Sequence, residues 1–158
     1  MLETGIAQIN EGLAVRQSIG VQCYLPGILS ALAEAQAMVG HPEEGLTTLA
    51  EALTTVEKTG ELHWKAEFYR LKGEILLMQG NESDAEANML QAIKVAHRQQ
   101  AKLWELRAAT SLARLWQQQG KQTEARHVLV EIYNWFSEGF DTPDLIEAKA
   151  LLDDLSHA

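Results

Sequence analysis

The 158-residue chain is 46% hydrophobic, enough for one domain with a substantial core, and one cysteine, Cys23, excludes an internal disulfide. A net charge of −9 and a pI near 5.0 argue against a general nucleic-acid binder, which needs a basic face. No apolar run approaches the ~20 residues that span a bilayer, and the opening MLETGIAQINEG has no signal-type core, so a cytoplasmic chain without membrane or nucleic-acid partners is expected.

Residues 3–20, ETGIAQINEGLAVRQSIG, align without gaps on 43–60, EEGLTTLAEALTTVEKTG. The chain is therefore expected to open in the second helix of a pair whose first helix is missing, as a fragment of a longer protein or with a lone helix as a cap. Ile6, Ile9 and Leu13 would form an open apolar face that a second copy could seal, giving a homodimer.

A period of 40 residues then takes over: Gly40, Gly80 and Gly120; Tyr24, Trp64 and Trp104; small Ala33, Gly73 and Ala113; small Gly45, Ala85 and Ala125; large Leu49, Met89 and Leu129. Self-similarity at this spacing marks a solenoid, here with repeats 22–61, 62–101 and 102–141 in a single domain. In the first repeat Pro26 cannot donate to Gln22, so the helix should start or kink there.

In 62–79 the residues Trp64, Phe68, Leu71, Ile75 and Leu76 form one helical stripe, and Ala85, Met89, Ala92, Ile93 and Ala96 do the same in 81–98. Between them MQGNESDAE, like MVGHPEEGL and QQGKQTEAR one period away on either side, reads as a helix–turn–helix corner. Gly80 can take the left-handed conformation that ends a helix, Asn81 caps the next, and Pro42 suits the first helical position. Thr142-Pro143-Asp144 opens a final helix within 142–156, with Thr142 as N-cap and Leu145, Ala148, Leu151 and Leu152 covering the last repeat. That helix is also expected to cover Trp135, Phe136 and Phe140, which left uncovered would form an exposed apolar patch and a contact site. The total is eight helices in an all-α fold.

These small positions, the large residues between them and the Gly corner resemble the tetratricopeptide repeat, with a period of 40 where about 34 is typical. AEFYRLKGEILLMQG (66–80), ELRAATSLARLWQQQGKQTEAR (105–126) and WFSEGFDTPDLIEAKALLDDL (135–155) further resemble the C-terminal helical repeats of large bacterial signalling proteins. Those proteins join a class III adenylate or guanylate cyclase domain and a signalling ATPase to such repeats. The resemblance implies a right-handed α-solenoid that binds proteins as a regulatory or scaffolding region.

No catalytic, cofactor or metal site is expected. His41, His63, His97, His127 and His157 lack ligand spacing, and neither a cyclase's metal-binding aspartates nor a GxxxxGK[ST] phosphate loop is present. Cys23 reads as a small packing residue, and Trp64, Trp104 and Trp116 lie on core stripes. Charge is the more informative feature: 94–126 carries a local +5, leaving −14 elsewhere. Aligned with tetratricopeptide repeats, the concave, partner-binding residues would be Glu34, Glu67, Arg70, Glu74, Arg107, Thr110, Arg114, Gln117 and Gln118. Arg70, Arg107 and Arg114 could together hold a peptide C-terminus, an acidic segment or a nucleotide, and a small anionic metabolite bound on this concave face would make the domain a sensor. Alternatively Glu67 and Glu74 neutralise them within the chain.

Overall fold

The computed structural model describes residues 1–20 and 25–157, so the readings made on Gln22, Cys23 and Tyr24 lie outside the described residues. Among the described residues the chain is all-helical. The α-helices are α1 (Leu2–Ile19), α2 (Leu25–Met38), α3 (Pro42–Thr59), α4 (Lys65–Met78), α5 (Glu82–Arg98), α6 (Lys102–Gln118), α7 (Gln122–Tyr133) and α8 (Pro143–His157), with one 3-10 turn at Leu62–Trp64. α2 begins one residue before Pro26, as the missing donor of proline requires.

Each helix packs on the next, and α2, α4, α6 and α8 also contact one another in succession. The second contact set follows from the 40-residue period, which returns every other helix to an equivalent place. The repeated apolar positions supply the core: Leu49, Met89 and Leu129 are fully buried, as are Ala33, Ala85, Ala113 and Ala125. Trp64 packs on the cluster of Leu29, Phe68 and Leu71, and its ring stands 5.6 Å from that of Trp104, one period on. The two half-buried rings thus meet across neighbouring repeats, and of the two only Trp64 packs on a core cluster.

Gly40, Gly80 and Gly120 all have positive φ, at 91°, 77° and 76°, which glycine adopts without a Cβ penalty. After Gly80 the Asn81 side chain accepts from the Asp84 N–H, so the predicted cap forms. Glutamines then tie the corners together: Gln79 Nε2 donates to Glu43 Oε1 at 3.0 Å, and Gln119 Nε2 to Glu82 Oε2 at 2.9 Å.

His41 precedes Pro42 without capping α3, and its Nδ1 lies 2.9 Å from Glu44 Oε1. The hydrogen bond and charge of Glu44 raise the His41 pKa above its ordinary value. The contact thus favours protonated His41, holding at low pH and lost as pH rises through the raised value. An NMR titration should find the midpoint above that of a free histidine, and Glu44→Gln should return it to the ordinary range.

At the C-terminal end α8 buries Leu145, Ala148, Leu151, Leu152 and Leu155 against α6 and α7, as expected. Thr142 takes the expected N-cap position, its carbonyl accepting from the Ile146 N–H at 3.0 Å, while its hydroxyl donates to the Gly139 carbonyl at 2.7 Å. One local expectation fails. Trp135 and Phe140 remain 61% and 47% exposed, because α8 lays its leucines over α6 and α7 and only Phe136 packs into that cluster.

Candidate interaction face

α4 carries Glu67, Arg70 and Glu74 at helical spacings of three and four, which put them on one side. α6 brings Arg107, Ser111 and Arg114 against them, and α8 adds Asp144 and Glu147. Glu67 stands at the centre. Its carboxylate is 6% exposed, accepts from Arg70 Nε at 2.9 Å and Nη2 at 2.8 Å, and pairs with Arg107 Nη1 at 3.0 Å. One buried anion therefore joins arginines from adjacent repeats.

Each arginine has a second contact or its own acid. Arg70 Nη1 reaches Glu74 Oε1 at 3.5 Å and Ser111 Oγ at 3.4 Å. Arg107 Nε faces Asp144 Oδ1 at 3.4 Å, and its guanidinium lies over the Trp104 ring at 5.3 Å. Arg114 pairs with Glu147 of α8. Burial alone would lower the Arg70 pKa, but the hydrogen bond and charge of Glu67, with Glu74 and Glu34, outweigh it and raise the value. Arg70 is charged at any working pH.

The three expected arginines converge, and with them Glu67 and Glu74. Three arginines face four carboxylates (Glu67, Glu74, Asp144 and Glu147), so the cluster has no surplus positive charge. The cleft between them is about 70 Å³. It is an internally neutralised network more than an open anion clamp. Thr110 also lines this cleft, but it is 5% exposed and its hydroxyl donates back to the Leu106 carbonyl at 2.8 Å. Gln117 and Gln118 line, with Arg114, Glu147 and Asp154, an adjoining recess of about 270 Å³. Glu34 is exposed on α2.

Sequence reasoning missed Ser111, Asp144 and Glu147. The two acids stand three apart on α8, a spacing that puts them on one helix face, whereas the apolar stripe of α8 by itself predicts only a cap. Arg114 and Glu147 are 48% and 43% exposed, so their pair is screened by water. Arg114→Ala should cost less than about 1 kcal/mol in urea denaturation.

Among the described residues no group of three or more His, Cys, Asp or Glu could hold a metal ion, and no helix is long and apolar enough to cross a membrane. No family model matches the chain. The chain is 30% identical over 115 residues to an uncharacterized protein of Rhizobium meliloti (strain 1021). The alignment takes in 72% of this chain and 11% of that protein, so the chain spans about a tenth of the relative it matches.

Proposed function

We propose that the chain is a protein-interaction module, a right-handed solenoid of tetratricopeptide-like helix pairs that scaffolds or regulates a larger signalling protein in the cytoplasm. The supporting observation is the succession of contacts among α2, α4, α6 and α8. Alternate helices so arranged present side chains from consecutive repeats on one continuous surface, which suits an extended polypeptide better than a compact metabolite. Similarity to a small part of a much longer protein fits a module within a multidomain chain. The bacterial cyclase–ATPase setting rests on the sequence resemblance alone.

Arg114 is the contact point on this face. It is half-exposed, its acid Glu147 can be displaced by a partner's carboxylate, and Gln117 and Gln118 add neutral hydrogen-bonding groups beside it. Arg70 and Arg107 are held by buried Glu67 and serve the scaffold. Selection from a displayed random-peptide library tests the reading. The wild-type chain should enrich a consensus containing an acidic residue or free carboxylate, and Arg114→Ala should lose it while keeping its melting temperature. Enrichment indifferent to Arg114, or no consensus at all, would overturn the proposal. A marked rise in melting temperature with small organic anions, in the absence of any consensus, would favour the sensor instead.

A further inference from the structure

A recess at the junction of α5, α6 and α7 is built separately from the face described above. Its floor is apolar, formed by Ile93, Ala109, Val128 and Ile132, and its volume is about 340 Å³. Trp135 stands at the rim, 61% exposed and edge-on to Phe136 with ring centroids 5.2 Å apart. A second opening of about 380 Å³ shares His97, Lys102 and Trp135 with the first and adds Gln100.

The polar groups are already arranged around a cation. Lys102 Nζ donates to Glu105 Oε2 at 2.8 Å and lies 5.9 Å from the Trp135 ring centroid. Glu105 is 8% exposed, and its other oxygen meets His97 Nδ1 at 2.9 Å. Glu131 also lines the recess and has no ion pair among the described residues. Lys102 and Glu105 pair with each other, which leaves the Glu131 carboxylate as the uncompensated acid of the lining. An aromatic face beside carboxylates is the chemistry that receives ammonium and guanidinium groups. An anion would meet the Glu131 carboxylate and would have to draw Lys102 away from Glu105.

The backbone departs from its own pattern here. Gln100 has φ 54°, the one non-glycine residue at positive φ among the described residues, where Gly60 and Gly20, one and two periods earlier, have 78° and 70°. A side chain is kept at this left-handed corner despite its cost, and it borders the second opening.

We propose that this recess takes a lysine or arginine side chain of a partner polypeptide. The methylene stem lies on the apolar floor, and the head replaces the Lys102 ammonium between Trp135 and the carboxylates of Glu105 and Glu131. Two adjoining openings suit a chain that passes through; a free amine would fill one. The site does not depend on Arg114 or on the reading of the α4–α6–α8 face.

Tryptophan fluorescence tests it, with a capped Ala-Leu-Arg-Leu-Ala peptide, its glutamate-centred counterpart and free butylguanidinium as probes. The arginine peptide should change the emission saturably, and Trp135→Ala, on the solvent side of the fold, should abolish the change with the circular dichroism unaltered. Lys102→Ala removes the resident cation and should tighten the peptide about three- to five-fold. Gln100→Gly should weaken it about three-fold without loss of stability. Arg114→Ala should leave it unchanged, which separates this site from the proposed face. Weaker binding by Lys102→Ala, an equal response to the glutamate peptide, a response surviving Trp135→Ala, or butylguanidinium binding as tightly as the peptide would each overturn the proposal.

Discussion

Glu67→Gln should lower the stability of the folded chain by about 3 kcal/mol, because it removes the buried anion that holds two guanidinium groups. Arg70 is 11% exposed and Arg107 32% exposed, so neither regains full hydration when the charge is lost. The expected cost sits at the low end of the range for breaking a buried pair, since Glu74 and Asp144 remain as secondary partners. For a chain of this length the melting temperature should fall by about 6–12 °C. Replacing the pair by apolar residues, Glu67→Leu with Arg70→Met, should recover part of that loss, as buried ion pairs often exchange for hydrophobic contacts at little net cost. A shift under about 1 kcal/mol for Glu67→Gln would mean that water already solvates these charges.

The second large effect comes from two glycines inside helices. Gly45 and Gly73 occupy positions where neighbouring repeats carry Ala85 and Ala125, or Ala33 and Ala113, so the repeat pattern invites alanine at both. Contact geometry opposes it. A Cβ at Gly45 would stand 2.7 Å from the Ala33 carbonyl oxygen and 3.1 Å from Ile75 Cδ1. At Gly73 it would meet Met89 Cγ at 2.8 Å and the Ala85 carbonyl oxygen at 3.0 Å. Alanine gains about 1 kcal/mol of helix propensity, but the backbone oxygens can move only if whole helices separate. Each substitution should therefore destabilise by about 1–3 kcal/mol net. The opposite sign is expected at Gly12 in α1, where a Cβ meets nothing within 4 Å and alanine should stabilise by about 0.5–1 kcal/mol. Urea midpoints of the three variants check both signs.

The same pair of positions shows what sequence could reveal. The period gives two small residues twelve apart in each repeat (Ala33 and Gly45, Gly73 and Ala85, Ala113 and Ala125), and hence the helix corners and the buried stripe. It does not show that these residues face each other across a helix pair, nor that one must be glycine in the first two repeats. At α6 and α7 both are alanine and fully buried, so that crossing accommodates two methyl groups. The charged face was legible to the same depth. Arg70, Arg107 and Arg114 could be gathered by repeat alignment. Glu67 and Glu74 flank Arg70 at local helical spacings, but that Glu67 also reaches Arg107, and that Asp144 and Glu147 meet Arg107 and Arg114, depends on how α4, α6 and α8 lie together, which no local pattern specifies. Trp135 escaped for a similar reason: its apolar character suggests burial, while the path of α8 leaves it at the rim of a recess.

The most direct measurement is a double-mutant cycle between Glu67 and Arg107, which lie on different repeats and meet at 3.0 Å. Urea unfolding of wild type, Glu67→Gln, Arg107→Met and the double variant gives their coupling energy. If the arginines of this face are engaged by the chain's own carboxylates, the coupling should reach about 1 kcal/mol or more. Additivity within about 0.5 kcal/mol would contradict that, and would return Arg107 to the set of groups free to clamp a ligand's anion.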